Sequence, residues 1–283
     1  HYYTDYREML KESLDLVSVC SPNALHAQMT IDALQSGAHV LCEKPMALTY
    51  ADALAMIETS QRMGKSLTVG FHNRYRPDMM AMHETIQSGK LGEIYYAKAS
   101  LLRRSGIPGY GSWFTNKDLA GGGAMMDIGC HILDLALWLL GQPTPLSVTG
   151  ATYAKFGPLG KGLGTWGSDH YPKGARCDVD DLATAFVRFE GGLTLAVEAS
   201  WALHGTDGQR IQVFGTTGGV EFNDKLFGKE APVHYFGEDN ETLTEAPVVL
   251  PEVTGNAYVC EITDWISRIR AGHPPMVTAE QAA

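Results

Sequence analysis

Three short apolar runs, residues 14–20 (LDLVSVC), 38–42 (AHVLC) and 66–71 (SLTVGF), alternate with segments that read as helices. A strand that is apolar at nearly every position is buried on both faces, which is the pattern of a parallel sheet. The intervening segments, 24–36 and 49–64, carry helix signals: Thr49 is a good N-cap, and Gly37 and Gly64 stand where a left-handed residue ends a helix. Asp5 is placed to cap a further short helix over 6–13. The strand-helix-strand-helix-strand order predicts an α/β fold with a parallel, doubly wound sheet.

The pattern changes after Gly89, which closes a helix opened by Pro77. Residues 93–104 read as a long strand, and 121–140 as an apolar helix stopped by Gly141. Strand-like runs follow at 145–156, 181–189, 193–203, 209–215 and 218–222, several separated by turns such as Glu190-Gly191-Gly192. Short connections between neighbouring strands imply antiparallel pairing. The second region is therefore expected to be an α+β domain with a large, mostly antiparallel sheet. An amphipathic helix is expected over 258–271, and 278–281 reads as the start of another. The expected domains are 1–90, the remainder of the parallel α/β domain, and 91–283.

Composition narrows the function. With 283 residues, 45% apolar and 19% charged, the chain has the make-up of a soluble globular protein. A net charge of -10 argues against a general binder of nucleic acid or anionic membranes. No uninterrupted apolar run reaches the roughly 18 residues of a membrane span. Cys20, Cys42, Cys130, Cys177 and Cys260 are dispersed, with no C-x-x-C pair. That usage suits a reduced chain in the cytoplasm.

Two groups of residues are suited to chemistry. Glu43-Lys44-Pro45 follows the second apolar run, at the presumed carboxyl end of a strand, where open α/β sheets bind ligands. Lys44 can hold a substrate oxygen or relay a proton, or be an exposed lysine in a turn. Asp127, His131 and Asp134 lie on one predicted helix, with Asp127 and His131 four apart and their Cβ atoms about 6 Å from each other. His131 can act as acid-base with Asp127 orienting it, or be a satisfied core histidine. Asp134 fits the scaffold better. A metal would need His170 as a further ligand, since Asp127 and His131 supply only two; none is expected. Ser21-Pro22-Asn23, with His26 beyond, closes the first apolar run in the same way. Asn23 offers an amide to a ribose or carboxamide, or caps the next helix. Asn73 and Arg74 follow the third run and either line the site or cap a helix.

Gly162-Leu163-Gly164-Thr165-Trp166-Gly167 matches G-x-G-x-x-G literally. The pattern works only between a strand and a helix N-terminus, and here Gly157-Pro158 precedes it while Pro172 and Gly174 follow. A loop near a substrate mouth is the better reading.

Taken together, SPNALH, GAHVLCEKPMA, TVGFHNRYRP and GGGAMMDIGCHILDLALWLLG resemble the Gfo/Idh/MocA family of NAD(P)-dependent oxidoreductases in motif, order and spacing. The resemblance spans nearly the whole chain. It implies a Rossmann domain followed by an α/β domain whose open sheet face commonly forms a dimer or tetramer interface. It also implies NAD or NADP as cofactor and hydride transfer at a secondary hydroxyl of a sugar, inositol or related polyol. Lys44, Asp127 and His131 match the family's catalytic positions. Ser21, Pro22, Asn23, His26, Glu43, Lys44 and Trp113 match positions on the cofactor side. Lys44, Arg74, Asp127, His131 and His170 are the expected substrate contacts. The family's first strand and its glycine-rich turn are expected before His1, and its closing helix after Ala283. On that expectation the chain is truncated at both ends. The rivals are a non-catalytic sugar- or nucleotide-binding protein on the same fold, a metal-dependent hydrolase or lyase, and an inactive fragment.

Overall fold

The computed structural model describes residues 1–166 and 175–283. In chain order its helices are α1 (Tyr6–Met9), α2 (His26–Gln35), α3 (Tyr50–Met63), α4 (Pro77–Gln87), α5 (Lys117–Ala120), α6 (Cys130–Leu139), α7 (Ala257–Ala271) and α8 (Ala279–Ala282). The strands are β1 (Leu16–Val19), β2 (His39–Cys42), β3 (Leu67–Val69), β4 (Ile94–Leu102), β5 (Pro145–Tyr153), β6 (Leu182–Phe189), β7 (Thr194–Ser200), β8 (Gly208–Gly215), β9 (Gly219–Asn223), β10 (Val233–Asp239) and β11 (Thr242–Pro247). They form two compact units. The first is His1–His72, Asp118–Gly121 and Tyr258–Ala283; the second is Asn73–Lys117 and Gly122–Ala257.

The first unit holds a parallel sheet in the order β1-β2-β3. Of its helices, α3 starts and stops on the expected residues, α1 starts as expected but ends at Met9 rather than 13, and α2 begins at His26, after a tighter turn over Asn23–Leu25. Asp5 Oδ1 accepts from Arg7 N–H, Thr49 Oγ1 accepts from Asp52 N–H, and Gly64 ends α3 in the left-handed region at φ 62°. β2 and β3 are buried almost throughout, as continuous apolar runs should be. β1 departs from expectation by alternating exposed and buried residues. It lies at the edge of the sheet, α2 packs against it, and Leu16 and Ser18 point to the exposed side. The C-terminal segment returns to β3: Trp265 Nε1 donates to Ser66 Oγ at 2.9 Å, and Thr68 Oγ1 to the Val277 carbonyl at 2.9 Å. Residues 258–283, expected with the second domain, thus pack with the first, and α4, expected with the first, packs with the second.

The second unit is an eight-stranded sheet in the order β11-β10-β9-β8-β4-β7-β6-β5. Every pairing is antiparallel except β4 with β7. α4 and α6 cover one face. Ile132, Leu135 and Leu139 of α6 are fully buried there against Ala97, Val197 and Val213. Burial of each large side chain contributes roughly 1.5–3 kcal/mol. The stretch Lys117–Leu139 is long and apolar enough to cross a membrane by length and composition, but half of it is buried inside the protein, as a core helix requires. The other face of the sheet is open. It carries a polar centre, Lys98, Glu198, Arg210, Gln212 and Glu221, beside Phe186. β10 and β11 have no counterpart in the sequence reading, because β11 is exposed along its whole length and leaves no apolar alternation to read.

Candidate active site

In the first unit the motif residues gather at the carboxyl ends of β1 and β2. Val19 and Cys42 are register partners, so Ser21-Pro22-Asn23 and Glu43-Lys44-Pro45 leave the sheet side by side. Glu43 N–H donates to the Val19 carbonyl at 2.9 Å, and Lys44 N–H to Glu43 Oε2 at 3.2 Å. The Lys44–Pro45 peptide is cis. A Cβ at Gly70 would lie 3.1 Å from Glu43 Oε2, so the end of β3 has room for the carboxylate because it carries glycine. Ser21, Pro22, Glu43 and Lys44 are half-buried, as site residues on a strand edge should be. Beneath them the Cys42 thiol is pushed up to about 12 by burial, so it stays protonated at neutral pH.

Two of the expected cofactor contacts do other work. Asn23 is buried, and its Nδ2 donates to the Ala120 carbonyl at 2.9 Å; it does not cap the helical turn that follows, whose N-cap is Pro22. His26 is 1% exposed, with Nδ1 2.7 Å from the Pro45 carbonyl and Nε2 2.9 Å from the Ser21 carbonyl. Both ring nitrogens face protein oxygens, so His26 offers neither to a cofactor. This corrects the sequence reading of that residue.

In the second unit Asp127 and His131 sit where two helical forms join. Residues 121–123 are not helical; Met125–Gly129 is a π-helical turn that runs into α6. The wider turn corrects the expectation of one regular helix over 121–140, and such turns recur at functional sites. Asp180 causes it to begin where it does. Its carboxylate accepts from Gly123 N–H at 2.8 Å and Met125 N–H at 3.0 Å, and its carbonyl accepts from Ala124 N–H at 2.9 Å. Three amides that a helix start leaves orphaned are thereby satisfied. A Cβ at Gly123 would fall 1.7 Å from the Asp180 carbonyl oxygen, so only glycine permits the approach. Asp127 accepts from Trp201 Nε1 at 2.9 Å through Oδ2. His131 lies four residues further on, at the start of α6, and is half-buried.

The neighbouring carboxylate, Asp181, accepts from Lys155, Phe156 and Gly157 N–H groups at 2.7, 2.6 and 3.0 Å. Thr115 Oγ1 donates to the Arg176 carbonyl at 2.8 Å, which ties the loop bearing Trp113 to the same segment. Trp113 stacks on Phe114, with centroids 3.8 Å apart. Asp180, Asp181 and Trp201 were not found from the sequence. Their only signal was two acidic residues before an apolar run, which reads equally as solvated charge.

Arg74 is also corrected. It is fully buried, and its Nε and Nη2 meet both oxygens of Asp134 at 3.0 and 2.5 Å. Its guanidinium also lies 5.8 Å from the Trp138 ring. Burial pushes the Asp134 carboxyl up, against the pull of the Arg74 guanidinium. Arg74 is therefore a scaffold cation rather than a substrate contact, and Asp134 serves the scaffold as expected. His170 lies outside the described residues. Among the described residues no group of three or more His, Cys, Asp or Glu is placed to hold a metal ion. The described part of the G-x-G-x-x-G match is a loop: Gly162 O accepts from Gly106 and Ile107 N–H, and Gly164 N–H donates to the Ile107 carbonyl. Its glycine Gly164 serves close packing on Gly106.

Comparison with known proteins covers both units. Residues 1–71 match the model of an oxidoreductase family with an NAD-binding Rossmann fold, and residues 79–221 match the GFO/IDH/MocA C-terminal domain. D-glucoside 3-dehydrogenase of Escherichia coli is 40% identical over 81% of this chain, and the match spans 62% of that protein's length. The putative UDP-kanosamine synthase oxidoreductase subunit of Amycolatopsis mediterranei is 32% identical over 94% of this chain and 75% of its own length. An oxidoreductase domain protein from Kribbella flavida superimposes with a TM-score of 0.83 at 27% identity, covering 99% of this chain and 77% of that one. With both of the family's domains matched in order, the chain belongs to the Gfo/Idh/MocA family of NAD-binding oxidoreductases.

Proposed function

We propose that the protein carrying this chain oxidises a secondary hydroxyl of a sugar, most closely a pyranoside or a related polyol, with NAD as hydride acceptor. The observation that carries the proposal is the joint presence of Lys44 at a parallel-strand end and of Asp127 and His131 at a π-to-α junction, within a family of NAD-binding oxidoreductases. The two relatives described above are named for a glucoside and for a sugar nucleotide, which supports a sugar as the substrate class.

The residues at the β1 and β2 ends fit a nicotinamide-ribose group. The Glu43 carboxylate can accept from ribose hydroxyls, and the Ser21 hydroxyl can donate to or accept from a carboxamide. When bound, the nicotinamide supplies the hydride acceptor. The remaining chemistry is proton transfer and charge stabilisation by the chain. His131 takes the hydroxyl proton, because imidazole titrates nearest neutral pH. Asp127, fixed by Trp201, orients that imidazole and balances its charge as it protonates. The Lys44 ammonium stabilises the developing alkoxide. Trp113 would border a bound nicotinamide. A cytoplasmic location fits the five cysteines, which form no disulfide. Self-association through the open face of the eight-stranded sheet would cover Phe186 and the polar centre beside it.

The test is NAD reduction by the natural-length protein against a panel of D-glucosides, free aldoses and inositols, repeated with NADP. Turnover of at least one pyranoside or polyol is expected. Lack of turnover across the panel, with NADH bound by neither the wild type nor any variant, would overturn the proposal.

A further inference from the structure

His26 is the one buried imidazole of the first unit whose two ring nitrogens reach two different motif loops. Nδ1 lies 2.7 Å from the carbonyl of Pro45, the residue after Lys44; Nε2 lies 2.9 Å from the carbonyl of Ser21, the residue before Pro22-Asn23. The ring is 1% exposed, so water does not compete for either position. Burying an imidazole without partners is costly, and here both partners are backbone oxygens from the two strand-end loops. A neutral ring offers one N–H, and the doubly protonated ring offers two. The neutral ring donates to one of the two carbonyls and packs its other nitrogen against the second, and donation to both needs an N–H on each nitrogen; the rigid five-membered ring fixes the distance between the two positions. The side chain starts from the first residue of α2, so the helix serves as the anchor.

We infer that His26 is a positioning residue: it clasps the Ser21-Pro22-Asn23 loop to the Glu43-Lys44-Pro45 loop and so holds Lys44 at a fixed place relative to the cofactor side of the site. It touches neither substrate nor cofactor. The inference rests on the proposed dehydrogenase reading for its functional consequence and on the hydrogen bonds alone for its structural one.

The test uses the natural-length protein with His26→Leu, which removes both contacts, and His26→Gln, whose amide can donate to one carbonyl. Hydrogen exchange read by mass spectrometry should rise at 21–25 and at 43–46 together in His26→Leu, with protection regained in one of the two segments in His26→Gln. With a pyranoside that the wild type turns over, kcat should fall at least about tenfold in His26→Leu while KM for the sugar changes less than threefold, and His26→Gln should recover part of kcat. NADH affinity, read by fluorescence titration, should fall alongside. Lower thermal stability with wild-type kcat, NADH affinity and local exchange would overturn the inference. If neither variant folds, proton NMR of the wild type decides: a His26 ring N–H protected from exchange with water supports the clasp, and a ring N–H exchanging as fast as free imidazole contradicts it. The exchange and NMR arms need no substrate, so failure here is separable from failure of the proposed function.

Discussion

The strand ends of the first unit and the helix start of the second reach functional geometry by different routes. At β1 and β2 the groups are set mostly from within one strand-helix-strand stretch: His26 reaches Ser21 five residues back and Pro45 nineteen residues on, and the bond from Asn23 to Ala120, across 97 residues, is the long-range exception. At the π-to-α junction they are set from far along the chain. Asp180 holds amides 57 and 55 residues away, and Trp201 holds Asp127 across 74 residues. A locally built site tolerates change elsewhere in its unit, whereas a site held by distant carboxylates fails when those anchors fail. The cost of removing an anchor should therefore be larger, and more closely tied to turnover, in the second unit than the loss of a local cap in the first.

The largest expected effect is at the Arg74–Asp134 pair. Arg74→Leu leaves a buried carboxylate without its cation and should destabilise the second unit by about 3–5 kcal/mol. Urea unfolding measures this. A raised KM for the sugar at unchanged stability would instead restore Arg74 as a substrate contact. Next comes Asp180→Ala, which orphans the Gly123 and Met125 amides. A loss of about 2 kcal/mol is expected, with a fall in kcat because Asp127 follows from that turn. Asp180→Asn should keep part of both, since its amide oxygen can still accept. Equal kcat in all three proteins would show that the helix start does not position Asp127.

In the first unit, Thr49→Ala removes the N-cap of α3 and should cost about 1 kcal/mol without touching kcat. A change in turnover here would erase the contrast between the two regions. Smallest in energy is a labelling experiment. Cys20 is exposed, while Cys42 is buried with its thiol pushed up to about 12. A maleimide at neutral pH should modify Cys20 and spare Cys42, because the thiolate is the reactive form. Rapid loss of Cys42 would mean that the end of β2 opens readily.

The same contrast explains what the sequence could reveal. The alternation of apolar runs, the Thr49 cap and the Gly64 stop are local signals, and each is where the periodicity puts it. Glu43-Lys44-Pro45 is legible because the strand before it is. Arg74 misleads because its partner lies 60 residues away, so an arginine after a strand reads as an available cation. His26 misleads in the opposite direction: a histidine inside a binding motif reads as a ligand contact, whereas in the folded chain both nitrogens are turned to backbone oxygens. The π turn has no sequence signature apart from the three glycines, whose need is set by the close approach of the Asp180 backbone at Gly123.

The most direct measurement is steady-state turnover of a pyranoside with NAD by Lys44→Met and His131→Ala in the natural-length protein, each shown to be folded by circular dichroism. Each kcat should fall at least about 100-fold, the usual reach of a group that transfers a proton or stabilises the charge that follows it. Turnover near wild type in both variants would contradict the assignment of Lys44 and His131 to the chemistry.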